Sequence, residues 1–101
     1  MPTLKSFCLL ALLGLLSLPA FAADDLQAGK QLFSTPLGSN GKSCITCHAE
    51  GKGLQHADDY NSEQLRGIIN SCIHKALQGK LLPDDDPRLA ELERYVRSLK
   101  K

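Results

Sequence analysis

Cys44 and Cys47 lie three residues apart and His48 follows at once, in the run Cys44-Ile45-Thr46-Cys47-His48. Nothing else in the chain limits its fold as strongly. Thiols at this spacing stand on about one turn of backbone. Both can therefore bond to one edge of a single rigid, planar molecule, and the imidazole is then held at a fixed distance beneath its centre. This is the attachment pattern of covalent haem. It assigns thioether links to Cys44 and Cys47, axial iron ligation to His48, and one haem c to the chain. A covalent tether retains the cofactor without demanding much packing area from the protein.

That economy matters because the chain has 101 residues. A domain of this size buries a thin core and gains from a disulfide, metal or cofactor. Part of the length is also expected to be removed. Lys5 precedes an almost wholly apolar run from Phe7 to Leu18, then Pro19 and the small-residue site Ala20-Phe21-Ala22. This is the layout of a cleaved secretory signal. The run is short for a bilayer span, which needs about 20 apolar residues. The expected organisation is a signal peptide over 1–22 and one cytochrome c domain over 23–101, exported to a bacterial periplasm. No stable membrane insertion is expected after cleavage; an uncleaved anchor is the alternative. Cleavage leaves 11 basic and 11 acidic residues. That balance argues against nucleic acid as a partner, since such binding rests on many phosphate-neutralising Lys and Arg side chains.

Cys8 leaves with the signal, so Cys44, Cys47 and Cys72 remain. An odd number is awkward for a disulfide framework in an oxidising compartment. Two other chemistries compete with haem. A Cys-x-x-Cys pair can be a redox dithiol, but the expected βαβ setting is missing. Zinc could be held by the three cysteines with His48, His56 or His74. A zinc site accounts for the odd cysteine, but not for a His placed directly after the second Cys, nor for the export signal.

The rest of the pattern is helical, and the expected class is all-α with about three main helices around the haem. Ala23 to Phe33 reads as a helix, with Asp24 and Asp25 at its positive N-terminal end and Leu26, Gly29, Leu32 and Phe33 on an apolar face. Asn61 can cap a second helix with Gln64 as its capping-box partner, running to Gln78 and stopping at Gly79. Its apolar face is Leu65, Ile68, Ile69, Cys72 and Ala76. Asp86 caps a last helix with Pro87 at its first position, and Leu89, Leu92, Val96 and Leu99 form the stripe, flanked by Tyr95. The long connections suggest that they wrap something.

Two resemblances follow from these residues. Ala28-Gly29-Lys30-Gln31-Leu32-Phe33 resembles the N-terminal helix of class I c-type cytochromes, where a Gly and an aromatic pack on the C-terminal helix. Gly29 and Phe33 match those positions, and Tyr95 matches the partner. Such cytochromes usually carry a Met as second axial ligand, yet the only Met here is Met1. The run from Ile69 through Cys72 to Pro83, with the final helix, is similar to the first haem domain of thiosulfate dehydrogenases. That resemblance implies iron ligation by Cys72 and a link to sulfur-compound oxidation. The second haem domain of that family is missing, so the resemblance implies an electron carrier with redox partner proteins rather than the enzyme.

The residue opposite His48 can also be ranked from helical geometry. At about 100° per residue, Cys72 falls among the apolar positions, whereas His74 lies about 200° further round, toward solvent. His56 sits in a Gly-rich stretch that this argument leaves free, so it stays as the alternative, with His74, Lys52, Lys80 or an open site behind it. The functional expectations are then a monohaem electron carrier, a haem-based small-ligand-binding or sensor protein, and a zinc-bound structural module.

Overall fold

The computed structural model describes residues 21–99, with side-chain surroundings from residue 26 onward. Residues 1–20, which hold most of the expected signal and Cys8, lie outside them. All regular structure among the described residues is helical. It comprises α1 (Phe21–Phe33), α2 (Cys44–Cys47), α3 (Ser62–Lys75) and α4 (Pro87–Ser98), with short 3-10 turns at Ala49–Gly51 and Ala57–Asp59. Among the described residues no helix is long and apolar enough to cross a membrane.

α1 and α4 make the closest helix pair, and Gly29 is the reason. A Cβ at this position would overlap the Glu91 carbonyl oxygen and come within 2.6 Å of Tyr95 Cβ. The bare glycine lets the two backbones meet. One turn on, the Phe33 ring meets Tyr95 edge-on, with centroids 5.2 Å apart, a favoured aromatic geometry. Leu26 departs from its expected place on the buried face and is 43% exposed. It stands one turn before the crossing at Gly29.

α3 begins as its sequence indicates. The Asn61 side chain accepts from Gln64 N at 2.8 Å, and Gln64 Oε1 accepts from Asn61 N at 3.0 Å. Its end differs. The helix stops at Lys75 rather than Gln78. Leu77 N donates to Cys72 O at 3.2 Å, Gln78 takes the left-handed conformation, with φ 56°, and Gly79 N donates back to Ile73 O at 2.8 Å, which turns the chain out of the helix. Gly79 serves close approach instead: a Cβ there would lie 2.5 Å from the Leu37 carbonyl oxygen.

The buried face of α3 differs too. Leu65, Ile69 and Ile73 enter the core with Leu77. Ile68, Cys72 and Ala76 lie on an exposed stripe beside it. An α-helix turned to two surfaces needs two apolar stripes, and this one has both. In α4, Leu89, Leu92 and Val96 are buried as expected, with Leu99 packed partly against them. Asp86 caps the helix by accepting from Arg88 N at 2.9 Å. Two buried polar residues stand out beside them. Asn70 pairs both ways with the Leu82 backbone at 2.8 Å. Glu93 accepts from Ser62 Oγ at 2.6 Å and Arg66 Nε at 2.8 Å, joining α4 to α3. Burial disfavours ionised Glu93, but hydrogen bonds from Ser62, Arg66 and Arg97 outweigh it and hold its carboxyl below the usual value.

The Gly29 crossing gives a direct test. Alanine there gains about 1 kcal/mol of helix propensity, but overpacking against backbone costs about 1–3 kcal/mol. The steric loss wins, so Gly29→Ala should lower the thermal midpoint measured by circular dichroism. An unchanged or raised midpoint would show that the helices separate freely.

Candidate functional site

The loop before Cys44 is anchored to the end of α3. Ser39 N and Oγ donate to Gln78 O at 3.2 and 3.1 Å, and Asn40 Nδ2 donates to Ala76 O at 2.9 Å. These carbonyls lie just past the end of α3, where no further helical turn follows to bond them, and the loop supplies their donors. The same bonds bring the Cys44–Cys47 turn beside the part of α3 that bears Cys72. Ser43 starts the turn: its N donates to Thr46 Oγ1 at 3.0 Å, while Thr46 N donates to Ser43 O at 3.0 Å.

Three adjoining depressions form an apolar cleft between these elements. The one at the cysteine end is lined by Cys44, Cys47, His48 and Cys72, with Ala76 and Leu77 behind. The middle one has walls from Phe33, Leu54, Leu65, Ile68 and Val96. The third, about 340 Å³ in volume, is bounded by Gly53, Leu54, His56, Ala57 and Tyr60. His48 and Cys72 line all three. A larger depression elsewhere, about 650 Å³, is bordered by Glu63, Arg66, Gly67 and Asp84 and contains neither a cysteine nor a histidine.

His48 is held by the turn that follows it. Its Nδ1 lies 2.7 Å from the Lys52 carbonyl oxygen. A carbonyl can only accept, so Nδ1 is the donor, and in the neutral ring Nε2 is the nitrogen that carries the free lone pair. This second hydrogen bond is what a metal-binding imidazole needs to fix its tautomer. Gly53, at φ 85°, allows the tight turn, and a Cβ there would sit 3.4 Å from His48 Nδ1.

Among the described residues Cys44, Cys47 and Cys72 are free thiols. Burial, then the nearby Cys72 and more weakly Cys47, push the Cys44 thiol up to about 11. Cys72 is exposed on the cleft wall, yet the partial burial it does have and the neighbouring Cys47 also push its thiol up. A redox dithiol works through a lowered thiol pKa, so Cys44 does not suit that role. Among the described residues no group of three His, Cys, Asp or Glu side chains is arranged to hold a bare metal ion. The zinc arrangement therefore has no ready set of ligands.

The remaining ligand candidates separate by position. His56 lines one depression only and pairs with Asp59 at 3.4 Å, with its side chain 83% exposed. His74 is exposed, as helical geometry indicates, and its Nδ1 bonds the Gly79 carbonyl at 3.0 Å. Lys52 contributes its carbonyl to His48, and Lys80 borders a different depression with Arg88. The Lys52 carbonyl, Leu54 and Tyr60 are the site residues that sequence reasoning missed. A backbone acceptor leaves no signature in residue types, and loop walls follow no period.

The cleft fits a haem on four grounds. Its walls are apolar, Ile68 stands 41% exposed along it, the motif thiols lie at one end, and His48 presents a defined tautomer. In the reduced, haem-free chain, Cys44 should alkylate slowly near pH 8, with its rate rising only toward pH 11, because the raised pKa keeps it a thiol. Mass-spectrometric alkylation profiles check this; an inflection near 9 would show a well-hydrated thiol. Comparisons with protein-family models, curated proteins and solved structures gave no match to the chain.

Proposed function

We propose that the chain is a periplasmic monohaem c-type cytochrome of the class I kind, acting as an electron carrier. The observation that carries this reading is His48, whose Nδ1–H is committed to the Lys52 carbonyl directly after two thiols at haem-attachment spacing. Cys44 and Cys47 would hold the haem covalently, and His48 Nε2 would bind its iron. The haem would supply a one-electron iron couple. The chain's own part would be to orient the His48 ring through Nδ1, to cover the macrocycle with Phe33, Leu54, Leu65, Ile68 and Val96, and to tune the iron through its ligands and burial.

Cys72 would supply a second protein ligand to the haem iron. It shares every depression with His48, whereas His56 shares one. A bound thiol loses its proton, and a thiolate favours ferric iron, which lowers the potential relative to a Met ligand. A low-potential carrier suits the donor side of an oxidation, in keeping with the resemblance to a sulfur-oxidising haem domain. A second reading, a small-ligand-binding haem protein, is favoured by the open volume of about 340 Å³ beside His48 and Cys72. Carbon monoxide added to the reduced protein separates the two, since a carrier with a firm sixth ligand leaves its spectrum unchanged.

The purified exported protein should be coloured, exceed its polypeptide mass by one haem and keep that haem through acid–organic extraction. Cys44→Ala with Cys47→Ala should abolish the covalent link. A colourless wild type carrying zinc would overturn the assignment. Cys72→Ala should retain covalent haem but shift the ferric paramagnetic resonance spectrum toward high spin or a replacement ligand. His74→Ala should leave that spectrum unchanged. If His56→Ala alone turns the iron high-spin while Cys72→Ala has no effect, the iron is bis-histidine ligated and the thiolate assignment fails.

A further inference from the structure

The open end of the cleft is walled by the segment 54–60, through Leu54, His56, Ala57 and Tyr60. Ala57 is its one buried residue. Ala57 N donates to Leu54 O, Asp59 N to His56 O and Tyr60 N to Ala57 O. Those bonds shape the segment but tie it only to itself. α4 provides an attachment from outside. Arg97 Nη1 donates to Ala57 O at 3.2 Å and Asp58 Oδ1 at 3.3 Å, and Nη2 donates to Tyr60 O at 2.9 Å. The guanidinium is planar and carries its donors in a rigid fork, so fixing one edge aims the others. Glu93, 6% exposed, fixes that edge by accepting from Arg97 Nε at 3.1 Å. Glu93 is itself held by Ser62 and Arg66.

We propose that Glu93 and Arg97 form a clasp that holds segment 54–60 as the wall of the cleft and so sets how readily a small molecule reaches the iron. This rests on the cytochrome reading above. Both are positioning residues, acting through the segment. A weak clasp would leave the open end accessible and favour ligand binding; a firm one closes it and favours electron transfer alone. The clasp lies on the wall that the motif cysteines do not supply, so covalent attachment cannot substitute for it.

The test compares haem-loaded wild type with Arg97→Gln, Arg97→Lys and Arg66→Gln. Arg66 also donates to Glu93 but makes no hydrogen bond to the segment, so its loss reports general weakening of the α3–α4 contact. The readout is the rate at which ferric protein captures imidazole, alongside limited proteolysis within 54–60. Arg97→Gln should capture imidazole about tenfold faster, because capture scales with the fraction of molecules whose wall is open. Proteolysis should rise in step. Arg97→Lys, which keeps the charge but not the fork, should fall between. Arg66→Gln should melt at a lower temperature yet accelerate capture far less than Arg97→Gln, because Ser62 and Arg97 still hold Glu93. Equal rates in Arg97→Gln and wild type, or equal acceleration by Arg66→Gln, overturn the clasp. Should Arg97→Gln fail to fold, Arg97→Lys against Arg66→Gln decides by the same comparison. Wild type without covalent haem would instead overturn the cytochrome reading, and the proteolysis comparison would still judge the clasp.

Discussion

The contact of α1 with α4 at Gly29 is what the remainder of the structure depends on. Removing one Cβ lets the Glu91 carbonyl and Tyr95 reach the backbone of α1. Phe33 and Tyr95 then meet edge-on and Phe33 is buried. With both ends of the described chain joined, the connecting loops and α3 must close the remaining sides. A single thin core results, made of Phe33, Leu65, Ile69, Ile73, Leu77, Leu89, Leu92 and Val96 with Ala57. Dispersion and burial hold such a core only if each residue is used, and Phe33, Leu65, Ile69, Leu92 and Val96 must also line the cleft.

α3 meets that demand with two faces. One runs through Leu65, Ile69 and Ile73 into the core; the other, through Ile68, Cys72 and Ala76, stays exposed along the cleft. Leu65 and Ile69 serve both, lining the cleft while buried. The helix therefore transmits the position of the core to Cys72. The carbonyls of Ala76 and Gln78, just past its end, do the same for the motif turn, through Ser39 and Asn40. Cys44, Cys47, His48 and Cys72 reach one cavity by these two routes.

Charge is used sparingly inside. Burying Glu93 would be costly alone, yet three donors from Ser62, Arg66 and Arg97 surround it. No buried side-chain nitrogen or oxygen among the described residues lacks a partner. Polar contacts of this kind add geometry more than stability. They orient Arg97 toward segment 54–60, just as the Lys52 carbonyl orients His48.

Much of this was legible in the residues themselves. The three long helices, the Asn61 capping box, the Asp86 cap with Pro87, and the small residue at Gly29 all follow from local rules, since caps, periodicity and propensity act within a few residues. The cysteine motif is equally local, and so is the turn of His74 away from its neighbours. Other features needed the tertiary structure. Periodicity set Cys72 and Ala76 on one apolar face with Leu65, Ile68 and Ile69 and left Ile73 out, because a 3.6-residue repeat shows that a helix has an apolar side but not which part meets protein and which meets the cleft. Helix propensity did not mark the stop at Lys75, where closure through Gln78 and the approach of Leu37 to Gly79 decide the end. The pairing of Glu93 with Arg97, and of both with α3 and segment 54–60, exists only once these segments are folded together. What the sequence determined alone was the chemistry available, two thiols and an imidazole at fixed spacing on an all-helical chain. Which groups face one another was decided only when distant segments packed, because burial, hydrogen-bond partners and the tautomer of His48 belong to neighbours that the linear order does not name.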